Sequence, residues 1–185
     1  TIGPERVVVG GGVGEAGDLI IEPARRELAR RVTMMPLDSI EVSLFLIGDA
    51  GSSAYDGEPV LQDMAKQSDS LRPVKQFVVF LGDNVYPRGV PPEGHPARDD
   101  AEKKIAAQVL AIRKGGAQGV LIPGNHDWDR QGRDGWNSIR RQDTLVRKFG
   151  GEDVRLLPAG GCPGPEVVDL GTPLRLIVLD SEWWV

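Results

Sequence analysis

Short apolar runs alternate along the chain with longer segments whose apolar residues recur at helical spacing. The pattern predicts strands at residues 6–9, 40–47, 76–81 and 119–122, and helices at residues 18–31, 58–67, 97–114 and 136–149. Residues 167–170 and 174–179 flank a Gly-Thr-Pro turn and predict a hairpin. Strands that alternate with helices indicate an α/β protein with a mostly parallel sheet, crossover helices and a late hairpin.

Three of the predicted strands end in a glycine that is followed by polar residues: GDAG at 48–51, GDNVY at 82–86 and GNHD at 124–127. The carboxyl ends of parallel strands meet at one edge of a sheet, so the side chains that follow them are expected to converge. Asp49, Asp83, Asn125 and His126 would bring carboxylate, amide and imidazole groups there, which are ligands of hard to borderline metal ions. Two carboxylates in one crevice repel each other, and a metal ion is the simplest way to relieve that repulsion.

A single Gly-Asp at a strand end is explained equally well by a turn or a helix N-cap. Three such motifs at successive strand ends, with Asn-His-Asp in the third, favour a metal site over that structural explanation.

Composition narrows the classes of function. The chain has 185 residues and a formal charge of −5, which argues against a nucleic-acid partner bound through a broad basic face. Cys162 is the sole cysteine, so neither an internal disulfide nor a cysteine-rich zinc site is expected. His95 and His126 are the two histidines, too few for a histidine-rich metal centre, and His95 stands in a loop outside the motifs, where we expect a solvated residue.

No apolar run is long enough to span a membrane, and no signal peptide opens the chain, which begins at Thr1. We therefore expect a soluble protein without a membrane segment. A cytoplasmic location is slightly favoured over export with a leader that has been removed.

The three motifs, in this order, resemble those of the calcineurin-like metallophosphoesterases, and the resemblance runs from about residue 43 to residue 185. Most of that superfamily carries Asp-x-His in the first motif, whereas Gly51 stands at the histidine position here. The purple acid phosphatase branch shares this loss and gains a tyrosine three residues after the aspartate of the second motif, which is Tyr86 in this chain. The resemblance implies half of an α/β/β/α sandwich.

The resemblance also implies a binuclear metal centre. Asp49 and Tyr86 would bind the first metal ion, Asp83 would bridge both ions and Asn125 would bind the second. The first ion would be ferric iron, with a violet colour from phenolate-to-iron charge transfer, and the second would be iron, zinc or manganese. An aromatic side chain that packs over Pro87 is the structural alternative for Tyr86.

The resemblance further implies that His126 hydrogen-bonds the phosphate or protonates the leaving group, and that Asp127 orients His126. The substrate would be a phosphoester, attacked in line by a metal-bound hydroxide.

That family completes its centre with a later Gly-His-x-His block, which the chain does not contain. We therefore assign residues 41–185 to the amino-terminal part of a metallophosphoesterase domain whose carboxyl-terminal half is absent. The chain is expected to be inactive or weakly active unless a missing half or a complementing chain supplies the remaining ligands. A non-catalytic fragment or a chimeric module is the alternative.

Residues 1–40 form a separate segment of uncertain origin, with a strand, a glycine loop and a helix. Residues 4–36 resemble a carboxyl-terminal segment of ROK-family sugar kinases, in which the glycine loop lies near the adenosine of ATP. Gly12, Gly14 and Gly17 fit a G-x-G-x-x-G pattern after a strand and make residues 10–17 a candidate nucleotide-binding remnant. A strand that packs on the sheet edge through a glycine turn is the favoured reading of this segment.

Overall fold

The computed structural model describes residues 8–10, 42–52, 58–72, 74–171 and 174–184. Its strands are β1 (Val8–Gly10), β2 (Val42–Ile47), β3 (Lys75–Phe80), β4 (Gln118–Leu121), β5 (Val154–Leu156), β6 (Glu166–Gly171) and β7 (Leu174–Val178). Its helices are α1 (Pro59–Ser70), α2 (Arg98–Lys114) and α3 (Gly135–Gly150).

Strands β1 to β5 form a parallel sheet in which the spatial order of the strands is their order along the chain. Crossovers between parallel strands are right-handed, and those from β2 to β5 all advance in the same direction, so α1, α2 and α3 are placed on the same face of the sheet. Helix α1 accordingly packs on α2, and α2 packs on α3.

The ends of the helices carry the groups that helix ends require. Helix α1 begins with Pro59, and the Glu58 side chain accepts a hydrogen bond from the Leu61 backbone N–H at 2.8 Å. Helix α2 has two aspartates in its first turn, and Arg113 and Lys114 in its last. These charges oppose the partial charges of the helix ends and stabilise them.

Successive residues along each strand face opposite sides of the sheet, so the buried apolar residues form two clusters. Phe45, Val78, Phe80 and Leu121 face the helices and belong to a cluster of buried residues that includes Ile105 of α2. The intervening residues of the sheet face the opposite way, toward the β6–β7 hairpin. That second cluster contains Phe77, Val79 and Val120 of the sheet with Val168, Leu170 and Val178 of the hairpin. The described chain is therefore built as helices, a parallel sheet and an antiparallel hairpin in layers.

The structure confirms the expected α/β class, the parallel sheet and the late hairpin, and the element bounds differ from the expected ones by a few residues at most. Strand β5 was not expected, because three residues with an exposed arginine between two apolar ones are too short a pattern to separate from a loop. Strand β1 pairs with β2 at the sheet edge. Gly12, Gly14, Gly17 and the expected helix at 18–31 lie outside the described residues.

No helix in the described parts of the chain is both long enough and apolar enough to cross a membrane.

The hairpin offers a direct test of the second cluster. Val168 is 8% exposed against the sheet, whereas its neighbour Val167 is 52% exposed on the outer face. We expect Val168→Ala to lower the free energy of unfolding by about 2 kcal/mol, because buried methyl groups are lost and a cavity remains.

Val167→Ala removes the same atoms from an exposed position and is expected to change the stability by no more than about 0.5 kcal/mol. Urea denaturation of both variants measures the difference, and equal losses would mean that the hairpin does not dock on the sheet as described.

Candidate functional site

The three motifs follow β2, β3 and β4, so they meet at the carboxyl edge of the sheet. Asp49 and Asp83 each stand just beyond a strand, and both have left-handed backbones, with φ of 57° and 55°. A left-handed residue other than glycine costs roughly 1–2 kcal/mol, and aspartate tolerates this conformation better than most residues. Strained aspartates at two adjacent strand ends mark this edge as a candidate functional site.

The Tyr86 hydroxyl joins the first two motifs. Its oxygen lies 2.6 Å from Asp49 Oδ1 and 3.0 Å from Asp83 Oδ2. Burial and the hydrogen bonds to these two carboxylates raise the pKa of the Tyr86 phenol well above its usual value. The Tyr86 hydroxyl group therefore links the two carboxyl groups.

Gly51 brings the backbones of the first two motifs into contact. The Gly51 N–H donates to the Asp83 carbonyl at 2.9 Å, and the Tyr86 N–H donates to the Gly51 carbonyl at 3.1 Å. A Cβ at Gly51 would lie 2.2 Å from the Asn84 carbonyl carbon and 2.4 Å from the Val85 nitrogen. The backbone thus leaves no room for a side chain at residue 51, and the Tyr86 hydroxyl takes the place beside Asp49.

Side chains of helix α2 donate hydrogen bonds to the backbone of the second motif. Lys104 is buried, and its Nζ donates to the Tyr86 carbonyl at 2.9 Å. One turn later, Gln108 Nε2 donates to the Asn84 carbonyl at 2.8 Å. These bonds fix the backbone on both sides of Val85 and therefore the position of the Tyr86 ring.

His126 packs against the same cluster. Its backbone N–H donates to Asp83 Oδ1 at 3.0 Å, and its ring centroid lies 4.0 Å from that of Tyr86. Nδ1 lies 2.7 Å from the Pro87 carbonyl, which can only accept, so Nδ1 carries a proton. The other ring nitrogen, Nε2, faces Arg130 Nη2 at 3.5 Å.

Asp127 does not take the position that the resemblance implied. Its buried carboxylate accepts hydrogen bonds from the backbone N–H groups of Gly124 (2.8 Å), Asn84 (3.0 Å) and Val85 (3.0 Å). The His126 ring is oriented instead by the Pro87 carbonyl. Asp127 is therefore a structural link between the second and third motifs.

Burial raises the pKa of Asp127 to about 7, although the three backbone N–H groups oppose this shift by favouring the anion.

Asn125 lies at a cavity beside the cluster. This cavity has a volume of about 220 Å³, and its lining includes Asp49, Asp83 and Asn125. Ser181 and Glu182, from the short 3-10 turn Ser181–Trp184, complete one wall. Glu182 was not singled out in the sequence, because nothing in its neighbourhood distinguishes it from other surface glutamates.

Three tryptophans stand next to this wall. Trp128 follows the third motif, and its Nε1 donates to Asp180 Oδ2 at 2.8 Å. The ring of Trp183 lies 5.8 Å from that of Trp128 and 5.2 Å from that of Trp136. Asp180 is buried, which raises the pKa of its carboxyl group. The contacts tie the end of β7 to the third motif.

The described donor set is more complete for a first metal ion than for a second. The Tyr86 hydroxyl oxygen is in contact with one carboxylate oxygen of Asp49 and one of Asp83, and such oxygens suit a hard cation. A second ion would have Asp83 and Asn125, both in the cavity lining. Within the described parts of the chain, no three His, Cys, Asp or Glu side chains are arranged to hold a metal ion, so any site depends on the phenol and amide oxygens.

His95 lies in an exposed loop, as expected, where its Nδ1 accepts a hydrogen bond from the Ala97 N–H at 3.1 Å.

Arg130 is the residue near His126 that the sequence did not indicate. Arg88 lies close to the second motif along the chain, but it pairs with Asp129 at 3.1 Å.

Comparison of the chain with protein-family models, with curated proteins and with solved structures found no match in any of the three.

The close approach at Gly51 predicts a sharp difference between two glycines of the first motif. We expect Gly51→Ala to lower the free energy of unfolding by about 2 kcal/mol or more, because a Cβ there overlaps backbone atoms that cannot move aside.

Gly48→Ala is the matched control, since a Cβ at Gly48 would have no described atom within 4 Å. Thermal denaturation compares the two variants, and a Gly51→Ala protein as stable as Gly48→Ala would contradict the described contact between the motifs.

The pKa of Asp127 predicts a pH dependence. Since the folded-state pKa of about 7 exceeds the unfolded value, the folded protein binds the extra proton between about pH 4 and pH 7, and this contribution to stability is lost as pH rises through that window. The Asp127→Asn variant has no ionisable group at this position. Its amide NH₂ would face backbone N–H donors, which is expected to lower the free energy of unfolding by about 2 kcal/mol near pH 5.

The stability difference between wild type and Asp127→Asn is therefore expected to shrink as pH rises to about 7. Urea denaturation in the presence of a chelator measures this difference, with Asp169→Asn on the exposed face of the hairpin as the control. A stability difference between wild type and Asp127→Asn that grows as pH rises would contradict the raised pKa of Asp127.

Proposed function

We propose that the chain carries a metal-dependent phosphoester hydrolase site of the purple acid phosphatase type. The observation that supports this most strongly is the Tyr86 hydroxyl, which lies within hydrogen-bond distance of both Asp49 and Asp83. The order and spacing of the three motifs add support from the sequence.

A cation suits this arrangement on electrostatic grounds. Asp49 and Asp83 place two carboxylates around one phenol oxygen, and Glu182 adds another carboxylate to the adjoining cavity. Tyr86 would supply a phenolate oxygen to a bound ion, and the ion would offset the charge of the carboxyl groups. Ferric iron is the ion that an oxygen set with a phenolate favours most, and zinc or manganese is compatible with the second position.

Four residues of the chain are the proposed metal ligands. Asp49 and Tyr86 would hold the first ion, Asp83 would contribute to both, and Asn125, which lies in the cavity lining, would hold the second. When bound, such ions supply an activated water molecule and neutralise the charge that develops on the phosphoryl oxygens.

His126 is the residue to which we assign proton transfer. The Pro87 carbonyl holds Nδ1–H and leaves Nε2 as the nitrogen that can receive a proton and donate it onward. In the imidazolium form, Nε2–H can donate to a phosphate oxygen or to the leaving oxygen. The hydrogen bond from the His126 backbone N–H to Asp83 Oδ1 keeps the ring next to the carboxyl group that would contribute to both ions.

The test is to remove the shared carboxylate. We expect Asp83→Asn to lower the metal content of protein loaded with iron, zinc or manganese at least about tenfold, because an amide oxygen lacks the negative charge. Any hydrolysis of an aryl phosphate is expected to fall to background in the same variant. Elemental analysis after dialysis and a chromogenic phosphate assay measure the two outcomes.

Asp63→Asn, on the exposed face of α1, is the matched control and is expected to behave as wild type. Tyr86→Phe is expected to abolish the violet absorption band of the iron-loaded protein. Unchanged metal content and turnover in Asp83→Asn would reject the proposed site.

A further inference from the structure

We propose that Arg130 is a phosphate-binding residue that acts beside His126 and selects phosphate monoesters over diesters. This inference rests on the proposed function, because it assigns a substrate class to the same site.

The turn that carries Arg130 is joined to the third motif. Asp129, Arg130 and Gln131 all have left-handed backbones, with φ of 55°, 52° and 60°. The Arg130 N–H donates to the Asn125 carbonyl at 2.9 Å, which ties the turn to a residue of the candidate metal site. Three consecutive left-handed residues other than glycine are uncommon, and here they turn the chain back beside His126.

The Arg130 guanidinium has no acidic partner among the residues that the structure describes. Its Nη2 lies 3.5 Å from His126 Nε2, and its side chain belongs to an exposed residue. Arg88 differs, because its guanidinium pairs with Asp129 at 3.1 Å. A cation without a carboxylate partner, set against the catalytic histidine, is available for an anionic substrate.

The chemistry of the pair favours a phosphoryl group. A guanidinium offers several N–H donors in a fixed plane and can bind two oxygens of one phosphate at once. A monoester dianion has three terminal oxygens and two charges, so it can satisfy Arg130 and still present an oxygen to His126 or to a metal ion. A diester has two terminal oxygens and one charge, and it cannot meet all of these groups equally well.

The test measures the binding of inorganic phosphate to the full chain near neutral pH by ³¹P NMR titration, with and without added zinc. We expect Arg130→Asn to weaken phosphate binding about tenfold or more, as for a lost charge-assisted hydrogen bond. Asparagine is chosen because it tolerates the left-handed backbone, and circular dichroism verifies that the variant is folded. Arg133→Asn, an exposed arginine in the same loop, is the matched control and is expected to bind as wild type.

Dimethyl phosphate serves as the diester probe. Wild type is expected to prefer inorganic phosphate to dimethyl phosphate, and Arg130→Asn is expected to reduce that preference. The inference is overturned if wild type binds no phosphate, if Arg130→Asn and Arg133→Asn bind it equally, or if the preference is unchanged. These outcomes are separate from those of Asp83→Asn, since loss of metal and of hydrolysis there can stand even if Arg130 makes no contribution.

Discussion

The candidate site depends on the contact between the first two strand-end motifs at Gly51. Because residue 51 has no side chain, its backbone lies directly on that of Asn84 and Val85 and exchanges hydrogen bonds with Asp83 and Tyr86. That contact brings Asp49 within reach of the Tyr86 hydroxyl, so one missing side chain determines which oxygen atoms can meet at the sheet edge.

The candidate site contains backbone conformations and a buried carboxylate that cost folding free energy, and hydrogen bonds from neighbouring segments offset that cost. Asp49 and Asp83 are held in left-handed conformations, and Asp127 is a carboxylate in a buried position. Backbone N–H groups of the second and third motifs donate hydrogen bonds to the Asp127 carboxylate. Lys104 and Gln108 of α2 donate to backbone carbonyl groups of the second motif. A buried carboxylate with its donors in place is a fixed point around which loops can be ordered.

Much of the fold follows from local patterns. Strands β2, β3 and β4 are largely apolar runs followed within three residues by a glycine, and the three helices have apolar residues at helical spacing, so their existence and order could be predicted. Strand β5 could not, because its register is set by pairing with β4 and by no feature of its three residues. The contacts of Asp127 could not be predicted either: it is next to His126 in the chain, yet its carboxylate accepts hydrogen bonds from the backbone of the second motif.

By itself the sequence determined which chemical groups stand at the strand ends, since the identities and spacing of Asp49, Asp83, Tyr86 and Asn125 are local properties of three short motifs. Only the tertiary structure decided how those groups meet. The bond from His126 to Pro87, the bridging position of the Tyr86 hydroxyl and the placement of Arg130 all depend on backbone turns that separate segments impose on one another. Such contacts join residues distant in the chain, and no local pattern of polar and apolar residues encodes their geometry.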